Sequence, residues 1–583
     1  MKTAKLLLCL VLTLAMLTGM TAFAATGEYE GVGQGKNGEI VLKVTLNDNV
    51  IEQIECTKQE ETIGYAESIQ TLAAAVVAAN SLSVDAVAGA TYTSKGFFEA
   101  MKDALAKAEV NPEDLVAKEV AAQGEKKAVE ETHRIVVVGA GGAGLVAAIS
   151  AKLAGADDVV LLEQMPFVGG NTLISGAEYA APGNWIQEKE QIEDSADLLY
   201  EDVLKAGGNP ELVRVLADNA LEGAKWLRDE VGVQWTDELM FFGGHSVKRS
   251  LIPVGATGTE MISKLKAHAE KLGVDIRLNT HATELVTDEA GTVVGVKAET
   301  DKETITFHTK AVVLTTGGFG DNLEMRKAND PNVDEHVLST NAAGINGDGI
   351  IMAQKVGAAT VGMEHIQLYP ICNPVTGALL YVDDARLMGK TIIVNKEGVR
   401  FVEELGTRYE MSMAIKAQTG SVAYELMTKK AAEESGVMLN HMPEVEDLLA
   451  TGLMVECDTI RECAEKMGVG ADEMLKTVEK WNGYVQAGKD EDFNKRGTLY
   501  AIDEEGPYWL VKVAPAVHHT MGGIAIDTSA RVLREDGTVI PGLYAAGETT
   551  GGIHGANRLG SCAIADITVF GRIVADTAVN ETK

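Results

Sequence analysis

The sequence predicts an α/β fold interrupted by a long α+β insertion and preceded by a small α+β module, and three observations predict it. The first is the stretch from His133 to Glu163, where a β-branched run, a glycine turn, an alanine-rich helical window and a second apolar run ending in an acid spell a βαβ unit. The second is the return of strand-then-glycine segments at 311–320 and 542–548, with a long stretch of separate strand and helix patterns between them. The third is the alternation over Ile40 to Leu46 and Val50 to Thr57, followed by helical windows at Ser68 to Ala79 and Phe97 to Ala108.

Taken in order, Lys2 and Lys5 precede an apolar run from Leu6 to Met20 and a small-x-small site at Ala22-Phe23-Ala24. This predicts a signal peptide over 1–24 and a secreted, extracytoplasmic chain, since the run is short for a membrane span. The module occupies 27–108, and a Lys-, Glu- and Ala-rich stretch without an apolar stripe predicts a solvated helical linker over 109–132.

In the βαβ unit, Gly139 permits the tight turn, Gly141 admits a pyrophosphate to the backbone, and Gly144 lets helix and strand pack closely. Ala140, Gly142 and Ala143 complete the loop, the helix N-terminus holds phosphate, and Glu163 accepts a ribose hydroxyl. Gly169-Gly170-Asn171-Thr172, Gly317-Gly318 and Gly547-Glu548 supply further cofactor contacts. Four such segments in this order, with no second complete G-x-G-x-x-G, predict FAD rather than NAD. The boundaries are a Rossmann-like FAD-binding domain over 133–365 and 519–583, with a clamp inserted at 366–518 that closes over the flavin and excludes water.

Formal net charge is −34, which repels nucleic acid and anionic membrane surfaces. The six cysteines form no metal-type spacing and no C-x-x-C-H, so neither a metal site nor covalent haem is expected.

Polar residues in unusual company occur at Tyr369-Pro370, at Asp383-Asp384-Ala385-Arg386, and from Arg400 to Arg408. Two more such stretches are His518-His519-Thr520-Met521-Gly522-Gly523 and His554-Gly555-Ala556-Asn557-Arg558-Leu559-Gly560. The last two bracket Gly547-Glu548 and so converge beside the flavin.

On these motifs the chain from His133 onward resembles the flavoprotein of the soluble fumarate reductase and flavocytochrome c type. The resemblance implies that His518 and Arg558 bind a substrate carboxylate. It also implies that Arg408 donates a proton to one alkene carbon while FAD delivers hydride to the other. An arginine acid, with a pKa above about 12, needs a relay to reprotonate it, and Asp384 with Arg386 is the candidate, against a purely structural salt bridge. The segment Asp85 to Gly96, containing Gly-Ala-Thr-Tyr-Thr-Ser, resembles the flavinylation motif of FMN-binding domains, which implies covalent FMN on Thr93 placed by a flavin transferase. Read from the residues alone, the same hydroxyls cap the following helix.

Where fumarate reductases place a histidine for a second carboxylate, this chain has Tyr369, and Glu178 follows the 169–172 turn. Two unit charges about 4 Å apart at an effective dielectric near 20 interact by roughly 4 kcal/mol, so Glu178 and Asp384 would repel a dicarboxylate. That pattern resembles urocanate reductases. It implies an α,β-unsaturated monocarboxylate with a polar ring, urocanate ahead of a hydroxycinnamate or other 2-enoate, and these ahead of fumarate. Electrons would come from a membrane-associated or extracellular donor through FMN. The opposing class is a non-catalytic electron-transfer flavoprotein, which needs no carboxylate clamp.

Overall fold

The computed structural model describes residues 25–583 apart from 36–37, 62–63, 88–89, 119–125 and 504. The segment 1–24, read above as a signal peptide, lies outside the described residues. The chain divides into two compact units, 1–124 and 125–583.

The first unit is an antiparallel meander of Gly27–Gln34, Glu39–Asn47 and Val50–Lys58 with the helices Tyr65–Ala79 and Thr91–Lys107 on one face. Asp48 and Asn49, both left-handed, close the second hairpin, the turn chemistry that a two-residue connection favours. Ile40, Leu42, Val44 and Leu46 alternate along the central strand and are buried against Phe97, Met101 and Leu105 of the second helix. That helix lies directly on the first strand, because a Cβ at Gly31 would fall 2.0 Å from the Ala100 carbonyl. It begins at Thr91, earlier than the expected Phe97, so Thr93 and Ser94 sit in its first turn and do not cap it from a preceding loop. Ala90 occupies the cap position without a side-chain bond, and the Ser94 hydroxyl instead accepts from the Val87 N–H, fixing the entry of the chain.

The helical linker expected over 109–132 is corrected at both ends. Pro112–Asp114 is a single 3-10 turn, and Lys127–Thr132 is a strand paired in parallel with Glu303–His308. It sits at the edge of a four-stranded sheet, held by backbone pairing, so it carries little of the apolar signal on which a sequence reading relies.

The second unit is built on a six-stranded sheet in the order Asp275–Arg277, Val159–Leu162, Ile135–Val138, Ala311–Leu314, Val539–Ala545, Arg531–Leu533. The first five strands are parallel, and every residue of the three central runs Val159–Leu162, Ile135–Val138 and Ala311–Leu314 is buried. Such continuous apolar runs are what a sheet covered on both faces requires. Helices Gly142–Leu153 and Cys562–Glu581 pack together on one face.

Ala311–Leu314 and Val539–Ala545 are neighbours in that sheet although far apart in sequence. Between them, a second sheet forms around the 13-residue strand Tyr508–Thr520, which pairs with Ile366–Cys372, Ala423–Thr428 and Met454–Cys457. This long strand leads from the insertion straight to His518-His519-Thr520. Its pairing with Ile366–Cys372 sets Gln367 opposite His519 and Leu368 opposite Val517, so His518 is the extra residue of a β-bulge. A bulge re-aims the side chain it carries, and such irregularities recur beside active sites.

Candidate active site

The turn after Ile135–Val138 behaves as its glycines require. Gly139 has φ +99°, and a Cβ at Gly144 would stand 1.9 Å from the Gly139 carbonyl oxygen. A Cβ at Gly141, by contrast, would meet nothing nearer than 3.9 Å, and that open space belongs to a groove of about 840 Å³. The groove is walled by Gly139, Gly141 to Ala143, Glu163, Gly170-Asn171-Thr172, Thr315 to Gly317 and Glu548. Glu163 is buried, its carboxylate accepting from the Ala140 N–H at 2.8 Å and the Met165 N–H at 2.9 Å, and burial raises its pKa. Asn171 donates to Glu548 at 3.2 Å and accepts from the Ala342 N–H at 2.8 Å, which ties the second glycine turn to the fourth segment and to the backbone at Ala342. Glu548 also accepts from the Thr520 N–H at 3.0 Å, and Gly318 lies so close that a Cβ there would be 2.0 Å from Thr520 Oγ1. Glycine turns, helix N-terminus and acid thus form one elongated cradle that fits a dinucleotide flavin. Gly144→Ala is expected to yield a folded protein with little bound flavin, because helix and strand must part to admit the methyl. The flavin-to-protein absorbance ratio checks this, and full occupancy would contradict it.

Beyond the Glu548 end, four of the expected substrate residues converge. Arg558 is buried, its guanidinium donating to Gln367 Oε1 at 3.0 Å, and Arg408 donates to the same oxygen at 3.4 Å. Burial, reinforced by the nearby Arg408 charge, pushes the Arg558 pKa down to about 10. His518 Nδ1 lies 3.1 Å from Thr340 Oγ1, and burial beside Arg558 and Arg408 holds its imidazole well below the usual range, neutral at pH 7. The Tyr369 ring packs 5.6 Å from His518 and 5.0 Å from the Arg408 guanidinium. Glu178 borders the same region: burial raises its carboxyl, Arg558 opposes the rise and Asp384 adds to it.

Arg408 opens the helix Arg408–Lys416, where Thr407 and Glu410 form a capping box. The loop leading to it is anchored by Arg400, which is buried between Glu404 at 2.8 Å and Asp490 at 3.0 Å, with Trp481 under its guanidinium. The Arg-Phe-x-x-Glu-x-x-Thr-Arg stretch therefore divides its labour. Its first arginine fixes the loop and its last reaches the site.

The relay assignment is corrected. Arg386 is buried and bidentate to Asp383, not Asp384, and its third contact is the Glu404 carbonyl at 2.6 Å. Asp384 keeps a side chain 47% exposed and lies 3.5 Å from His441 Nε2. The reason is helical spacing: Asp383 and Arg386 are three apart at the start of a helical turn and share a face, whereas residues two apart do not. Tyr369 connects the pair to the site, its hydroxyl donating to Asp383 Oδ2 at 2.9 Å. Burial raises the Asp383 carboxyl against the pull of Arg386.

Gln367 was not among the expected residues. It stands two before Tyr369 on a strand, hence on the same face, and that period is the signal that could have found it. Its amide oxygen meets both arginines while its nitrogen donates to Asn557 Oδ1 at 2.8 Å and the Arg558 carbonyl at 2.9 Å. The buried second histidine, His519, instead faces His554 and Glu548.

Cradle and arginine cluster together define a flavin-dependent oxidoreductase. The chain matches the FAD binding domain family over residues 134–564 and belongs to it, and residues 35–106 match the FMN-binding domain family. It is 42% identical over 569 residues to a urocanate reductase of Eggerthella lenta, covering 96% of this chain and 94% of that protein. It is 38% identical over 462 residues to a fumarate reductase (cytochrome) of Shewanella frigidimarina, covering 78% of each. Among solved structures it resembles the open conformation of a flavocytochrome c3 fumarate reductase at a TM-score of 0.71 and 36% identity, over 78% of this chain and 79% of that one.

Proposed function

We propose that this protein reduces the carbon–carbon double bond of an α,β-unsaturated monocarboxylate bearing a polar ring, with urocanate as the substrate. The observation that carries the reading is the shared Gln367 oxygen: two buried or half-buried guanidiniums aim at one acceptor, with the neutral His518 imidazole close by. A substrate carboxylate presents the same kind of acceptor with a full charge, and bidentate arginine contacts to carboxylates are among the stronger hydrogen bonds. Similarity to the Eggerthella lenta urocanate reductase supports the ring-bearing substrate, as does the phenol of Tyr369 where a second carboxylate would otherwise be held.

The 139–144 turn, Glu163, Asn171 and Glu548 would hold FAD, which when bound supplies hydride to the alkene. Arg558 and His518 bind and orient the carboxylate, and Arg408 gives the proton to the carbon that hydride does not reach. Asp383 and Arg386 return a proton toward Arg408 past Tyr369. Glu178 and Asp384 hold the ring nitrogens and disfavour a second carboxylate. The first unit would carry FMN on Thr93, placed there by a flavin transferase, and would pass electrons inward from a membrane-associated or extracellular donor to the secreted enzyme.

An anaerobic assay with reduced viologen against urocanate, fumarate, cinnamates and acrylate tests the substrate. Urocanate should turn over fastest, and faster turnover of fumarate would overturn the assignment. Tyr369→His should raise the fumarate-to-urocanate ratio of kcat/KM by at least tenfold. An unchanged ranking would mean that this side chain does not select the substrate.

A further inference from the structure

In the first unit the Thr93 side chain is 1% exposed and its hydroxyl donates to the carboxylate of Glu61, itself 8% exposed. Glu61 approaches from a different part of the chain, 32 residues away. The surrounding backbone is cut back to receive it: a Cβ at Gly35 would stand 2.5 Å from Glu61 Oε1. Likewise a Cβ at Gly96 would fall 2.5 Å from the Gln34 carbonyl, which brings the start of the helix against that strand. Thr93 is the third residue of the 17-residue helix Thr91–Lys107, so its oxygen sits where the first-turn N–H groups favour an anionic phosphate. A carboxylate would not be placed beside a phosphate site to help bind the phosphate, since the two charges repel. It is well placed to take a proton from an attacking hydroxyl, which is a poor nucleophile unaided.

We propose that Glu61 is the general base for flavin attachment at Thr93, an inference that rests on the Thr93 reading above. Thr93 Oγ attacks the FMN-side phosphorus of a flavin adenine dinucleotide delivered by a flavin transferase. The new P–O bond forms as the P–O bond to the AMP phosphate breaks. The hydroxyl proton passes to Glu61, AMP departs, and no electrons change hands. Base assistance of this kind contributes on the order of 10²- to 10⁴-fold.

The test incubates the full chain with FAD, Mg²⁺ and a flavin transferase and follows the FMN adduct by intact mass and by peptide mapping. Glu61→Gln keeps the size of the side chain and an acceptor for the hydroxyl but cannot take the proton. It should be modified at least tenfold more slowly than wild type. Its rate relative to wild type should climb with pH as hydroxide replaces the lost base, a signature that a merely structural hydrogen bond would not give. Glu61→Asp should recover part of the rate, which separates chemistry from misfolding. A Glu61→Gln protein modified at the wild-type rate would overturn the inference alone. Absence of an adduct on wild type, or an adduct that persists in Thr93→Val, would overturn the attachment reading on which it rests.

Discussion

Arg408→Ala is expected to abolish alkene reduction while leaving the flavin bound. The arginine stands at the first position of its helix and reaches Gln367 Oε1 and the face of Tyr369, but it lies outside the wall of the flavin groove. If it is the proton donor, as proposed, its removal leaves the cradle untouched, so the flavin absorbance should persist while kcat falls by about 10³-fold or more, within the range of a lost general acid. Steady-state reduction of urocanate with reduced viologen, alongside the flavin-to-protein ratio, measures both. Activity above a few per cent of wild type would show that the proton comes from elsewhere. Loss of flavin would show that the residue is structural.

The second large effect separates two adjacent aspartates. Asp383→Asn leaves the buried Arg386 guanidinium without its carboxylate, and breaking a buried pair by removing one partner costs about 3–5 kcal/mol. It also exchanges the charged acceptor of the Tyr369 hydroxyl for a weaker amide. Lower thermal stability and a fall in kcat of at least tenfold are expected together. Asp384→Asn, on a side chain 47% exposed, should leave stability near wild type and act on KM for a ring-bearing substrate. Thermal unfolding and the split between kcat and KM decide the matter. If Asp384→Asn lowered kcat as much as Asp383→Asn, the corrected relay would be wrong.

Much of the fold could be read from the chain because its signals are local. The βαβ unit announces itself through a short apolar run, glycines at fixed spacing and a terminal acid, and the same punctuation marks the later cofactor segments. The polar edge strand Lys127–Thr132 could not be read in this way, since its stability comes from backbone pairing with a strand far along the sequence. At the substrate end, Arg408, Arg558, His518 and Tyr369 were visible through the motifs that carry them. Gln367 and the Asp383–Arg386 pair were missed or misassigned because their meaning lies in which side chains share a face once strand and helix have formed.

The bulge at His518 carries a consequence for how this chain can change. Both sides of it pair with the same strand, Val517 and Ala516 with Leu368 and Tyr369, and His519 and Thr520 with Gln367 and Ile366, so the two registers differ by one residue. Loss of Thr520 would close the bulge by setting His518 opposite Gln367 and His519 opposite Ile366, which turns both imidazoles to the other face. A one-residue deletion at the end of this strand is therefore expected to disturb the site more than one in the surrounding turns.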